Sequence, residues 1–231
     1  MSVNVNTVYS RVLAILNKEQ RGFLTPQEFN LFANQAQMDI FEQYFYDINQ
    51  FSRMPGNSTE FSDMLNILNE KIAPFIAQAT LSTFNNGALT RPTDFYRLGN
   101  IRIGNTEAQR LNRNEYLVVS ASPLTKPSDT FPVFFEKEHG FVVYGTAALP
   151  KQSEVDIDYI KRPATVQWGG VNVNGVPQYD SSNSTNFDLH DSEETELVLK
   201  ILELAGVLVK QLEVTQYAGQ KEAQGVQQEK A

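Results

Sequence analysis

The sequence is poor in the residues that carry covalent and metal chemistry. Its 231 residues include no cysteine, only two histidines and a single tryptophan. The absence of cysteine excludes disulfides, thiolate metal sites and a cysteine nucleophile, and it suits a reducing compartment. Charged residues make up 20% of the chain, below the usual share of about a quarter. Asparagine, glutamine, serine and threonine take their place, which favours a polar, weakly charged surface.

Positive charge is also scarce. Lysine and arginine total 19 against 27 acidic residues, which gives a formal net charge of -8 at pH 7. This balance argues against a protein that grips nucleic acid through a broad basic face. It is compatible with nucleic acid that slides past, because like charge prevents sticking.

Long hydrophobic runs are missing as well. Residues 1–4 show neither a basic region nor the start of an apolar one, so we expect no signal peptide. The most apolar stretch, 197–209, is interrupted by Lys200 and Glu203, whereas a membrane-spanning helix needs roughly 20 apolar residues. We therefore expect a buried helix there, and no membrane span.

Motifs for catalysis and ligand binding are not present. No glycine-rich nucleotide loop, Walker-type lysine or nucleophile elbow occurs. His139 and His190 fit no metal-ligand spacing, and we interpret both as exposed polar residues. Glu154, Asp156 and Asp158 share a strand face but lack the glycine turn of a calcium loop, so we interpret them as solvated. The sequence thus predicts no enzyme, metal or cofactor; a hydrolase with a spatially assembled acid pair ranks last among the alternatives.

Helical periodicity marks both ends of the chain. Apolar residues recur at helical spacing in segments that predict helices over about 3–20, 25–51, 59–70 and from about 192 onward. The last of these is apolar on most sides, which is typical of a helix buried among others. After Tyr217 little apolar content remains, so we expect that segment to fray when it is alone.

Two helix starts carry capping signals. Thr25, Pro26 and Glu28 occupy the N-cap, first and third positions, a pattern typical of a capping box. Asn112 and Glu115 repeat the spacing and predict a short helix over about 116–119.

The middle of the chain changes to strand periodicity. Alternating apolar residues predict strands over about 96–103, 109–111, 133–136, 141–144 and 154–159. A turn is expected at 85–87, and Gly140 is predicted to supply the left-handed residue of a tight hairpin. Residues 165–187 are rich in Gly, Asn and Ser and predict a long extended loop with a small hairpin. Loops of this length are uncommon unless they have a function, such as partner contact.

This order of elements predicts an α+β fold. We expect a helical bundle, built from the N-terminal helices and a long C-terminal helix, that carries an inserted antiparallel β-rich region. The predicted parts are a helical segment over 1–88, the β-rich insertion with its long loop over 89–187, and a C-terminal helix with a polar tail over 188–231 that completes the bundle.

Two short motifs border the β-rich region. The entry, 91–98, reads Arg-Pro-Thr-Asp-Phe-Tyr-Arg-Leu, and the exit, 155–163, ends in Tyr-Ile-Lys-Arg-Pro. The entry is similar to the Leu-Pro-x-Asp-Phe-x-Arg turn of head-to-tail connector proteins of tailed bacteriophages (adaptors, ring proteins or tubular tail proteins), with Arg91 replacing the apolar residue. The exit resembles their strand ending in Tyr-x-x-Arg-Pro. The order of elements resembles that family too, and the Asn-rich, cysteine-free character resembles crAss-like short-tailed phages.

The resemblance implies a structural virion protein. It would form a homo-oligomeric ring, commonly of twelve copies, that docks under the portal protein and passes the genome through its channel. Further tail or ring proteins would be its other partners, and passing DNA would make transient, non-specific contact. The implied location is the portal–tail junction of the virion, after assembly in the host cytoplasm.

The resemblance also suggests two sets of contact residues. In that family the C-terminal segment often reaches onto the portal, which here implies portal contacts by Val214, Tyr217, Gln220, Lys221 and Gln224. Contacts with neighbouring subunits or the next ring are expected from the long loop, at Trp168, Tyr179 and Phe187. An alternative stays open: an accessory carbohydrate- or protein-binding domain that uses the β-rich region, with the same three aromatic residues lining a groove.

Overall fold

A computed structural model describes residues 2–18, 24–53, 59–146, 150–151, 155–173 and 176–208. The helices are α1 (Val5–Lys18), α2 (Pro26–Arg53), α3 (Thr59–Ile72), α4 (Arg113–Ala121) and α5 (Glu194–Leu208). The strands are β1 (Ile76–Leu81), β2 (Phe84–Asn85), β3 (Ala88–Thr90), β4 (Phe95–Ile103), β5 (Thr106–Glu107), β6 (Gln109–Arg110), β7 (Val133–Lys137), β8 (Gly140–Tyr144), β9 (Val155–Lys161), β10 (Gly170–Val173) and β11 (Val176–Tyr179). Helices occur together with sheets whose strand pairs are mostly antiparallel, so the predicted α+β class is confirmed.

The chain divides into two compact units. The first takes residues 1–74 together with the chain from 163 onward, and the second takes 75–162. These borders differ from the predicted ones at 88 and 187. The strands before residue 89 pair with later strands of the second unit, and the segment after 162 is hydrogen-bonded to α2.

In the first unit, α2 lies against both α3 and α5, and α5 also contacts α1. The apolar stripes of these helices supply its core, which includes Val8, Val12, Phe29, Ile40, Phe41, Leu197 and Ile201. Their spacing of three and four residues places them on the inward faces, as helical periodicity requires.

The predicted capping box opens α2. The Glu28 carboxylate accepts from the Thr25 backbone N–H at 2.9 Å, and the Thr25 hydroxyl accepts from the Glu28 N–H at 3.3 Å. Hydrogen bonds from the Thr25 hydroxyl and backbone hold the pKa of Glu28 below its ordinary value. At α4, Glu115 accepts from the Asn112 N–H at 2.8 Å. Both helix starts are therefore confirmed.

The second unit contains two sheets, ordered β1-β9-β4-β5 and β2-β3-β8-β7-β6. Their pairs are antiparallel except for β6 with β7, which is parallel. Both sheets supply one apolar core, which includes Leu81, Ile101, Phe134, Phe141, Val155, Ile157 and Tyr159. Outside this core, Tyr116 of α4 stacks on Tyr144 at 4.3 Å between ring centroids, so α4 covers part of the second sheet.

Two turns show different uses of glycine. Asn86 and Gly87 have φ angles of 49° and 77°, as a two-residue hairpin turn requires, and this confirms the turn at 85–87. Gly140 has no left-handed φ; among the described glycines only Gly87 and Gly104 do. A Cβ atom at Gly140 would instead collide with the backbone carbonyl of Leu89. The prediction for Gly140 was wrong, because close strand approach excludes a side chain there.

Strand β9 alternates as predicted, with buried Val155, Ile157 and Tyr159. The acids between them are half-buried, because β9 is an inner strand between β1 and β4. Asp156 accepts from the Thr80 hydroxyl at 2.6 Å, and Asp158 pairs with Arg102 at 3.1 Å. Asp156 and Asp158 thus lie on the less buried face of β9 and are bonded to neighbouring strands, whereas Glu154 lies outside the described residues.

Candidate interaction surfaces

Side-chain amides on α2 take the place of a neighbouring strand for the segment 164–168. Asn30 accepts from the Trp168 N–H at 2.7 Å and donates to the Trp168 carbonyl at 3.3 Å. Asn34 makes the same pair of bonds with Val166, both at 2.8 Å. Each amide therefore satisfies the two backbone groups of one residue, as a β-strand partner would.

Helix and strand geometry explain this amide ladder. Four residues of helix rise about 6 Å, and two residues of extended chain span about 6.6 Å, so successive amides meet alternate residues. Gln37 continues the ladder: it donates to the Ala164 carbonyl at 2.8 Å and accepts from the Asp188 N–H at 3.0 Å. Gln37 is only 2% exposed. Residues 164–168 are thus hydrogen-bonded along α2, and the predicted loop contains the expected small hairpin, β10–β11.

The three loop aromatics have different surroundings. Trp168 is 4% exposed; its ring lies 4.5 Å from that of Tyr9, and its indole N–H donates to Asn6 at 3.1 Å. Phe187 is fully buried, whereas Tyr179 is 36% exposed. The buried rings of Trp168 and Phe187 therefore stabilise the core of their own unit. Tyr179 is the most exposed of the three predicted contact residues.

The predictions also include portal contacts, but no metal site and no membrane span. The proposed portal contacts lie outside the described residues: Val214, Tyr217, Gln220, Lys221 and Gln224. Within the described ranges, no group of three or more His, Asp or Glu side chains could hold a metal ion. None of the helices in those ranges is both long and apolar enough to cross a bilayer.

A buried ion pair links α3 to the turn before α5. The Lys71 ammonium lies 2.7 Å from the carboxylate of Glu193, which is 3% exposed. The same ammonium lies 5.9 Å from the ring centroid of Tyr44. The pKa of the Tyr44 hydroxyl is raised mainly by burial, and further by the negative charges of Glu193 and Glu196. This hydroxyl has no hydrogen-bond partner among the described residues. These groups line a cavity of about 230 Å³, and the sequence alone gave no sign of it.

The two motifs that border the β-rich region meet in the structure. The Tyr159 hydroxyl donates to the Asp94 carboxylate at 2.9 Å, and the Arg162 N–H donates to the Asp94 carbonyl at 2.6 Å. Phe95 stacks on Tyr159 with ring centroids 5.9 Å apart. Asp94 and Phe95 of the entry motif thus contact the exit motif, at the point where the chain leaves the second unit.

Four apolar side chains are exposed on α4 and in the loop that follows. We name these residues together the α4 surface; their exposed fractions are Leu117 60%, Val118 73%, Leu124 94% and Phe131 77%. Single exposed apolar residues are common, but a concentration of them marks interaction sites. No residue of α4 is buried, so its apolar content exceeds what its own unit uses. Apolar residues on more than one side of a nine-residue helix were the signal that sequence reasoning missed.

The α4 surface is electrically neutral. Between residues 113 and 131 the charged residues are Arg113, Glu115, Lys126 and Asp129, which balance to zero. Asp129 is further paired with Lys151 at 3.2 Å. An uncharged apolar surface on a chain of net charge -8 can approach a second copy without strong repulsion.

Comparison with known proteins assigns no family. No known family model matches this chain, and no curated protein sequence matches it significantly.

Proposed function

We propose that this chain is a structural virion subunit that forms a ring between portal and tail, through which the genome passes. The observation that carries the proposal is the α4 surface, whose four apolar side chains are 60% to 94% exposed. A second copy of the chain is the partner that covers it.

The energetic scale suits a subunit that assembles cooperatively. Covering the exposed parts of these four side chains would contribute roughly 5–9 kcal/mol at about 1.5–3 kcal/mol for each fully buried side chain. That gain is of the same order as the cost of immobilising one partner. A single contact is therefore weak, whereas a closed ring gives every subunit two such contacts.

The joined motifs support the resemblance to connector proteins. Asp94 and Tyr159 are 65 positions apart in the sequence, yet Asp94 bonds to both Tyr159 and Arg162. Residues that belong to one structural feature are expected to occur together in a family, so the two short matches support each other.

The negative net charge of the chain is compatible with a channel for DNA. A net charge of -8 opposes adhesion of the phosphate backbone, so DNA in contact with an acidic wall would pass without being held. Transient, non-specific contact is the interaction that a channel needs.

Single substitutions in the α4 surface test the proposal. Leu117→Asp and Leu124→Asp each remove an exposed apolar side chain and add one negative charge. Asn114→Asp is the matched control, because Asn114 is exposed on the same helix and adds the same charge without loss of apolar surface. Native mass spectrometry and electron microscopy would follow assembly, and circular dichroism would follow folding.

We expect rings from the wild-type chain and from Asn114→Asp, and folded monomers from the two leucine variants. A wild-type chain that stays monomeric at high micromolar concentration would contradict the proposal and favour the accessory binding domain. Rings of undiminished yield from both leucine variants would show that the α4 surface is not the contact.

A further inference from the structure

One sheet edge in the second unit lacks the usual protection against pairing. In the described part of the chain the outer strands of its two sheets are β1, β5, β2 and β6. Three of them are only two residues long, and very short edge strands resist pairing with other chains. β1 is six residues long and pairs with β9 in an uninterrupted register.

The composition of β1 leaves this edge open. Residues 76–81 contain no charge and no proline, the two features that most often block an edge. Ile76, Gln78 and Thr80 are exposed on one face, Ile76 to 58%. The two acids of β9 opposite this face are already bonded, Asp156 to the Thr80 hydroxyl and Asp158 to Arg102. β1 is therefore a neutral template for one more strand.

A second open edge lies in the first unit. β10 and β11 pair only with each other among the described strands, and a two-stranded hairpin alone is marginally stable in water. β11 contains Pro177, which has no N–H to donate and disfavours further pairing on its side. β10 contains neither proline nor charge, and Val171 in it is 50% exposed. The hairpin thus lacks a third strand, and β10 is the strand able to accept one.

We infer that β10 of one copy pairs with β1 of the neighbouring copy. The four-stranded sheet then becomes a six-stranded one, ordered β11-β10-β1-β9-β4-β5, with β11 and β10 supplied by the neighbour. Main-chain hydrogen bonds hold the pair, as in other cases of strand addition. The inference rests on the proposed ring and names one of its contacts.

The two edges differ, so the contact is head-to-tail. Each copy offers β1 to one neighbour and β10 to the other, and such heterologous contacts close into rings when the rotation permits. Pairing between two β1 strands would instead stop at a two-fold dimer. The use of two different strand edges, β1 and β10, therefore favours a ring over a two-fold dimer.

Cysteine cross-linking tests the contact directly, because the natural chain has no thiol. Gln78→Cys and Val171→Cys are made in separate copies, mixed, and treated with a short bismaleimide that tolerates a small offset in register. Leu31→Cys is the control partner for each, since Leu31 is 71% exposed on α2. We expect a covalent dimer from the mixture of Gln78→Cys and Val171→Cys, at least tenfold above the controls. Equal yields from all mixtures would overturn the pairing.

A charge pair then tests its contribution to assembly. Gln78→Lys/Val171→Lys places like charges across the contact, whereas Gln78→Lys/Val171→Asp places opposite charges at the same two positions. We expect the first double variant to lose most of its rings and the second to keep them, with equal circular dichroism spectra. Rings that persist equally in both would refute the strand pairing and leave the proposed function intact. A wild-type chain that forms no ring would refute the proposed function itself.

Discussion

Loss of one amide in the ladder on α2 should destabilise the first unit strongly. In Asn34→Ala, the N–H and carbonyl of Val166 lose both partners, which lie at 2.8 Å in the native chain. Val166 is 1% exposed, so water does not readily replace the amide. Each buried polar group left unsatisfied costs about 1–3 kcal/mol, and here there are two, the N–H and the carbonyl of Val166. The better helix propensity of alanine offsets at most about 0.7 kcal/mol of this loss. We expect the free energy of unfolding to fall by about 3 kcal/mol.

The single tryptophan makes this loss easy to measure. Trp168 lies two residues from Val166 and is buried against Tyr9, so its fluorescence reports release of this segment during urea unfolding. Gln35→Ala is the matched control, because Gln35 is exposed on the same helix and its side-chain amide donates within that helix, to Asp39 at 2.8 Å. We expect that control to change stability by less than about 0.5 kcal/mol.

Asn34→Asp separates the two bonds of the amide. The carboxylate still accepts from the Val166 N–H, but its second oxygen faces the Val166 carbonyl with no proton to donate. We expect it also to be less stable than the native chain. If Asn34→Ala and Gln35→Ala unfold at the same urea concentration, the ladder does not stabilise the segment and the reasoning fails.

Two further variants probe the cavity of the first unit. Lys71→Met leaves the buried Glu193 carboxylate without its partner at 2.7 Å and should lower the free energy of unfolding by about 3 kcal/mol; urea unfolding should show most of it restored in Lys71→Met/Glu193→Gln. Tyr44→Phe removes a buried hydroxyl without a partner in the described chain and should stabilise by about 1 kcal/mol. Because the pKa of Tyr44 is raised in the folded chain, stability from its neutral form is complete below pH 10 and lost at higher pH. Unfolding measured from pH 8 to 11 should therefore decline less steeply in Tyr44→Phe; an identical decline would contradict this.

Local signals predicted most of the elements. The Thr25 and Asn112 helix starts depend on bonds across three residues, and the Asn86–Gly87 turn depends on the backbone preferences of two. The inward alternation of β9 follows from strand geometry alone. β1 was missed, because its alanines and glutamine carry little alternation.

The contact surfaces were harder to predict, because burial depends on what packs over a residue. Trp168 and Phe187 have the aromatic character of interface residues, but packing against Tyr9 and its neighbours buries Trp168 in the core. The exposure of Leu117 and Leu124 has the same origin, since no described part of their own unit covers them.

The sequence by itself determined the α+β class, the helix caps, the tight turn at 86–87 and the faces of the inner strand, because each depends on neighbours a few positions away. Only the tertiary structure decided the unit borders, the steric need for Gly140 and the amide ladder. The bond between Asn34 and Val166 spans 132 positions, and Gly140 is constrained by Leu89 on another strand. Such partners meet only after the chain has folded, so no local pattern of residues encodes them.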